Sequence, residues 1–93
     1  MSLATVSVLV TVTDVFLGGH GRAISITNND AANPIFLKYD QSADVLSATN
    51  GEKLAAGQVK VIYAAWLGLR ELPKVQGIAT GGTVSTAVQV VNY

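Results

Sequence analysis

The feature that most constrains the fold of this chain is a two-residue alternation of β-branched side chains. Valine occupies every second position from residue 6 to residue 12. Successive side chains of a strand point to opposite faces, so this spacing predicts a strand over residues 6–13 with one all-valine face. On this prediction Val10→Asp unfolds the domain, because it places an unpaired charge in the core. The alternation recurs at residues 22–28, 35–39, 58–66 and 84–91.

Turn-forming residues separate these runs at intervals of about ten residues. Glycines cluster at residues 18–21, Asn50-Gly51 favours a tight turn with two positive φ angles, and Gly81-Gly82 lies between apolar runs at residues 75–79 and 84–91. The last pattern predicts a C-terminal hairpin. No amphipathic helical stretch is present, so the sequence predicts an all-β fold. We expect a small antiparallel β-sandwich or barrel of about six to eight short strands.

The size and charge of the chain narrow its possible functions. With 93 residues, it is predicted to form one β-sandwich domain over residues 1–93. Six basic and six acidic residues give zero formal charge, which argues against nucleic acid or an anionic membrane as a partner. No apolar run reaches the length of a spanning helix, and a soluble protein is expected. Only 13% of residues are charged while 49% are hydrophobic, so we expect some apolar surface to contact a partner.

The sequence offers few residues for catalysis or metal binding. There is no cysteine, and the one histidine, His20, has no carboxylate at a spacing that would bring the two together. No phosphate-binding or dinucleotide motif is present. Asp40 and Asp44 could supply oxygen ligands to calcium, but turn formation explains them better. The prediction is a protein that is not an enzyme, with no catalytic, metal or cofactor-binding residue and no cofactor.

Two groups of residues are candidates for binding a partner. Trp66 is predicted to end a strand and to face away from its neighbours Val61 and Tyr63, and Trp and Arg are enriched at interface hot spots. The alternative is that Trp66 is a core residue. The candidate interface consists of Trp66, Leu67, Leu69, Arg70 and Leu72. Tyr39, which precedes Asp40-Gln41-Ser42, is a weaker candidate for binding a sugar. The alternative is that Tyr39 packs in the core.

Five segments follow one another along the chain before a closing valine-rich strand. They are Arg-Ala-Ile-Ser-Ile-Thr-Asn-Asn (22–29), Asn-Pro-Ile-Phe-Leu (33–37), Asn-Gly (50–51), Leu-Ala-Ala-Gly (54–57) and Gly-Ile-Ala-Thr-Gly-Gly-Thr (77–83). This order of motifs resembles small β-sandwich virion proteins of tailed bacteriophages, a group that includes head decoration or cement proteins and modules of head fibres and tails. The resemblance runs from about residue 11 to residue 91, and the segment at residues 67–74 is longer and more apolar than that pattern.

The resemblance implies an architectural role without an active site. The expected function is a capsid decoration or cement protein that oligomerises on the capsid and stabilises it, with trimers favoured and the major capsid protein or another virion protein as partner. The expected location is the virion, after assembly in the host cytoplasm. The alternative is a tail-fibre or head-fibre module that binds a receptor or carbohydrate on the host surface. We further expect Leu69→Lys to weaken association between chains with little effect on folding.

Overall fold

The computed structural model describes residues 2–39 and 45–91 of the chain. In this part the secondary structure consists of eight strands and one turn of 3₁₀ helix, Ala64–Leu67. None of its helices could cross a membrane, since none is long and apolar enough. The strands are β1 (Ser2–Val8), β2 (Thr13–Phe16), β3 (Ala23–Asn28), β4 (Ile35–Lys38), β5 (Glu52–Leu54), β6 (Val59–Tyr63), β7 (Val75–Ala79) and β8 (Val84–Val91).

The strands form two four-stranded antiparallel sheets packed as a sandwich, which confirms the predicted fold class. The first sheet has the order β1-β8-β3-β6 and the second has the order β2-β7-β4-β5. Each strand of the first half of the chain therefore pairs with its counterpart from the second half: β1 with β8, β2 with β7, β3 with β6 and β4 with β5. The chain is one long antiparallel ribbon wrapped into two layers, with β3–β8 and β4–β7 pairs closing the sheets. This is the strand order of a jelly roll.

The core lies between the sheets and is built from the inward-facing residue of each alternating pair. Ile24 and Ile26 of β3 and Ile35 and Leu37 of β4 are almost completely buried, in agreement with the faces that the alternation predicts. In β8 the even-numbered residues from Val84 to Val90 face inward or pack against the core, again as predicted. Burying these side chains is the main contribution to the stability of the sandwich.

The strand predicted over residues 6–13 is wrong beyond Val8. The chain bends at residues 9–12 and crosses to the second sheet, where it continues as β2. Val8 is fully buried, but Val10 is 56% exposed and Val12 is exposed as well. The premise that Val10→Asp buries a charge is therefore also wrong. The alternation identifies extended backbone correctly, but it cannot show where a strand leaves one sheet for another.

The predicted C-terminal hairpin is also wrong. β7 pairs with β2 and β4 in the second sheet, whereas β8 pairs with β1 and β3 in the first. The glycine pair does form a connection, and Gly82 has a φ of 120°. This connection crosses between the layers because the two strands already have partners from the first half of the chain.

At the predicted Asn50-Gly51 turn, glycine is required by packing rather than by backbone conformation. The Gly51 amide donates to the Ser47 carbonyl, but neither Asn50 nor Gly51 has the positive φ angle that was predicted. A Cβ atom on Gly51 would lie 2.8 Å from both Leu46 Cδ1 and Phe36 Cβ. Leu46 is buried beneath this turn, whereas Val45 is exposed.

Candidate functional site

One end of the sandwich, here called the aromatic end, gathers most of the candidate residues. It is formed by residues 17–22, Tyr39 and residues 64–74. Two backbone hydrogen bonds join Gly19 to Leu72, and the Ala64 amide donates to the Arg22 carbonyl at 3.0 Å. These bonds fix the long β6–β7 connection against the β2–β3 loop. The candidate surface is therefore held by backbone pairing as well as by side-chain packing.

Trp66 is displayed by the 3₁₀ helix rather than by a strand. β6 stops at Tyr63, and the chain turns through Ala64–Leu67 until Gly68, whose φ of 70° ends the helix in a left-handed conformation. Ala64 is buried beneath this turn, whereas Trp66 is 74% exposed. The Trp66 ring lies 4.4 Å from the Tyr63 ring, centroid to centroid, and is tilted by 53°. The alternative of a core tryptophan is thus excluded for the isolated protomer.

The other predicted interface residues divide between surface and core. Leu67 and Arg70 are exposed, and Leu69 is partly buried against the core. Leu72 is only 3% exposed and belongs to the core cluster, so its assignment to an exposed interface is wrong. The reason is its backbone pairing with Gly19, which turns its side chain inward. No sequence periodicity could reveal that pairing.

The structure brings Tyr39 beside Trp66, two residues that no sequence motif connects. Both residues line a small cavity of about 70 Å³, together with Lys60, Val61, Ile62, Tyr63 and Leu67. Tyr39 packs partly against the core, in line with the alternative of core packing, and it also lines this cavity. The two candidates identified separately in the sequence therefore belong to one surface.

A polar network fixes the Tyr39 side chain. Its hydroxyl donates to Glu52 Oε2 at 2.5 Å, and Lys60 Nζ donates to Glu52 Oε1 at 2.9 Å. The Lys60 ammonium also lies 5.8 Å from the centre of the Tyr39 ring. Because Glu52 is on β5 and Lys60 is on β6, the network ties the second sheet to the first at one lateral edge of the sandwich.

The network shifts the proton affinity of all three groups. Burial raises the pKa of the Tyr39 hydroxyl, and its hydrogen bond to Glu52 raises it further. Burial alone would raise the pKa of Glu52, but the hydrogen bonds from Tyr39 and Lys60 outweigh it and lower that pKa. The hydrogen bond to Glu52 raises the pKa of Lys60. The arrangement therefore favours a carboxylate that accepts hydrogen bonds from a neutral tyrosine and an ammonium, which suits a fixed structural contact.

A second, larger cavity of about 370 Å³ adjoins the first, since Tyr63 lines both. Two arginines, Arg22 and Arg70, contribute to its wall, with Gly21, Ala64, Ala65 and Leu69. Arg70 was a sequence candidate, but Arg22 was missed as a site residue. Arg22 immediately precedes β3, and only the tertiary fold brings it near residue 70.

The one histidine of the chain, His20, lies outside the two cavities. His20 Nδ1 lies 3.6 Å from Glu71 Oε1, but the His20 side chain is 95% exposed and lines neither cavity. The Asp14 carboxylate forms an ion pair with the Lys74 ammonium, with Oδ1 and Nζ 3.3 Å apart. Across residues 2–39 and 45–91, no three His, Cys, Asp or Glu side chains are grouped to hold a metal ion. Asp40 and Asp44 lie outside the described residues.

A further exposed apolar group occupies the opposite end of the sandwich. Leu9, Val10 and Val12 lie on the bend between β1 and β2, where the Ala79 amide donates to the Leu9 carbonyl. No charged side chain interrupts residues 2–13. The protomer thus carries apolar surface at both ends, and at the aromatic end this surface adjoins two cavities and the cationic side chains of Arg22, Lys60 and Arg70.

Comparisons of the chain with protein-family models, with curated proteins and with solved structures found no match.

Proposed function

We propose that this chain is a non-enzymatic structural virion protein, a capsid decoration protein that oligomerises on the capsid and stabilises it. The observation that carries the proposal is the exposed aromatic end, where Trp66, Leu67 and Arg70 lie on a segment held by backbone hydrogen bonds. Exposed Trp and Arg side chains beside an apolar surface are typical of protein interfaces. The major capsid protein or another virion protein is the proposed partner, and the virion is the proposed location.

The architecture supports this proposal by analogy. Eight-stranded jelly rolls recur in viral capsid proteins, but also in lectins and cupins, so the fold alone does not determine the function. The low content of charged residues adds a physical argument. When a partner covers this surface, few charged groups lose their hydration, so the desolvation free energy is small. A neighbour that binds only the folded protomer also stabilises it by mass action.

The test is to measure the mass of the purified protein in solution and its binding to capsids. We expect light scattering or native mass spectrometry to find a symmetric oligomer, with three copies favoured, well above the 9.6 kDa protomer. The protein should also co-sediment with capsids of the phage that encodes it and raise their melting temperature. A stable monomer without affinity for capsids would refute the proposal.

A second candidate is a fibre module that binds a receptor or carbohydrate on the host surface. It is favoured by the three aromatic residues around the two cavities, Tyr39, Tyr63 and Trp66. Aromatic rings offer flat apolar faces, and cavities beside them can hold a small ligand. The test is a glycan array with the wild type, Tyr39→Ala and Trp66→Ala. Selective binding that either variant weakens supports this function, whereas a decoration protein should give no selective signal.

A further inference from the structure

The larger cavity of the aromatic end has an unusual charge composition. Arg22 and Arg70 line it, but no Asp or Glu does. Within the described part of the chain, neither guanidinium forms a hydrogen bond or an ion pair. The neighbouring acid, Glu71, lies beside His20 instead. In a chain with zero formal charge, two unpaired cationic groups on one cavity make a local positive site.

The two arginines indicate the chemistry of a fitting ligand. A guanidinium presents a planar fork of N–H donors that matches a carboxylate, and it remains charged at any physiological pH. The donors of Arg22 and Arg70 have no acceptor within the described residues, so a carboxylate can bind without displacing an internal partner. The cavity therefore favours a ligand with an anionic group over a neutral one.

The remaining wall indicates the body of that ligand. Tyr63, Ala64, Ala65 and Leu69 give the cavity an apolar side, and the Trp66 ring extends the Tyr63 surface at 4.4 Å. A volume of about 370 Å³ lies in the range of ligand-binding pockets, roughly 300–1,000 Å³, and fits one or two sugar rings. One face of a pyranose ring consists of C–H groups that can pack on an aromatic surface.

We propose that this cavity binds an acidic saccharide, with Arg22 and Arg70 contacting its carboxylate and Tyr63 packing against its ring. The inference rests on the second proposed function and names its ligand class. It also moves the main polar contact from Tyr39, whose hydroxyl already bonds Glu52, to the two arginines. Binding here requires no covalent step and no cofactor.

The experiment is titration of the full chain with a galacturonate trisaccharide, with maltotriose as the neutral control and inorganic phosphate as the plain anion. Calorimetry gives the affinity, and amide NMR shifts at Gly21 and Ala65 locate the site. We expect galacturonate to bind in a saturable way and to shift these amides, and maltotriose to bind at least tenfold more weakly. Arg70→Gln and Arg22→Gln should each weaken galacturonate binding about tenfold or more, as expected for loss of a charge-assisted hydrogen bond.

The matched control is Lys53→Gln, which removes one positive charge from an exposed position of β5 that lines neither cavity. It should bind galacturonate like the wild type, and thermal melting should show that all three variants fold. Equal binding of both sugars would overturn the inference while leaving carbohydrate recognition intact. If phosphate binds as tightly as galacturonate, the cavity recognises an anion and not a saccharide, which would also overturn the inference. Absence of all binding would overturn the inference, and co-sedimentation with capsids tests the decoration function separately.

Discussion

Asn28 is the side chain that joins the two sheets at the end opposite the aromatic end. It is fully buried on β3, and its Nδ2 donates to the carbonyls of Asn33 and Leu54, at 3.0 and 3.1 Å. Its Oδ1 accepts from the Asp30 amide at 2.9 Å. Since Leu54 belongs to β5, this one amide group links the first sheet to the second. A buried amide that satisfies three backbone groups is expected to specify how the layers meet.

We expect Asn28→Asp to destabilise the protein by about 3 kcal/mol or more at neutral pH, because a carboxylate places negative charge against two carbonyl oxygens and leaves them without a donor. Chemical denaturation measures the change in free energy of unfolding. The matched control is Asn29→Asp, which makes the same substitution at the adjacent exposed residue. A similar effect of the two substitutions would contradict the role assigned to Asn28.

The Tyr39–Glu52–Lys60 network should confer a defined pH dependence on stability. Because the pKa of Glu52 is lowered in the folded protein, its carboxylate stabilises the fold above about pH 4.5, the ordinary pKa of a glutamate. This contribution is lost as the pH falls below that value and through the lowered pKa. The raised pKa values of Tyr39 and Lys60 contribute stability below about 10, which is lost as the pH rises further. The lysine and glutamate side chains are 33% and 44% exposed, so we expect less than about 1 kcal/mol in total.

The prediction is that Glu52→Gln flattens both limbs of this profile, since Glu52 bonds to both partners. Melting temperature measured from pH 3 to pH 11 tests it. Tyr39→Phe keeps the ring but loses one hydrogen bond, and should flatten the profile only in part. If the Glu52→Gln profile runs parallel to the wild type at all pH values, the network does not link the sheets energetically.

Among the elements, β1 shows how far the alternation of valines determines structure. We expect Val8→Asp to destabilise the domain by about 4 kcal/mol or more, because Val8 is fully buried between the sheets. Val10→Asp, two residues further along the same run, should change stability by less than about 1 kcal/mol, since Val10 lies on the exposed bend. Thermal unfolding of both variants measures the difference. Comparable losses would mean that the strand continues through residue 10.

The same elements show what the sequence determines and what it does not. The faces of β3, β4 and β8 follow from alternation alone, because alternation assigns each side chain to one of two faces and the more apolar face is buried. Ile24, Leu37 and Val88 are examples of such buried residues. Strand partners do not follow, since any antiparallel neighbour satisfies the same pattern. For this reason β7 and β8 were predicted as a hairpin. β5, only three residues long with two exposed, leaves almost no pattern and was missed.

For the whole molecule, the pairing of the first half of the chain with the second half brings distant residues into one surface. Trp66 was identified by its residue type, but its proximity to Tyr39 depends on the approach of β4 to β6. The proximity of Arg22 to Arg70 depends on the backbone hydrogen bonds between residues 17–22 and 64–74. None of these contacts has a local sequence signature. The residue types at the site were therefore predictable, whereas the cavities that they form were not.

The position of Trp66 and Leu72 on this fold gives the sharpest test of association between chains. Trp66→Lys should leave the melting temperature within a few degrees of the wild type, because the ring is mostly exposed, and should shift the proposed oligomer towards monomers. Leu72→Lys should instead unfold the protomer, since it buries an unpaired charge in the core. Leu69, partly buried, should show a mixture of the two effects on substitution by lysine, whereas the sequence predicted weaker association with little effect on folding.

The control is Val10→Lys, which adds the same charge to the exposed apolar group at the opposite end. Analytical ultracentrifugation over a range of concentrations compares the variants, with thermal melting to verify folding. If the aromatic end forms the contact, Trp66→Lys dissociates the oligomer and Val10→Lys does not. The reverse result would assign the contact to the bend between β1 and β2. Dissociation by both would indicate that the two ends contact each other, a head-to-tail arrangement that closes into a ring only if the rotation between neighbours allows it.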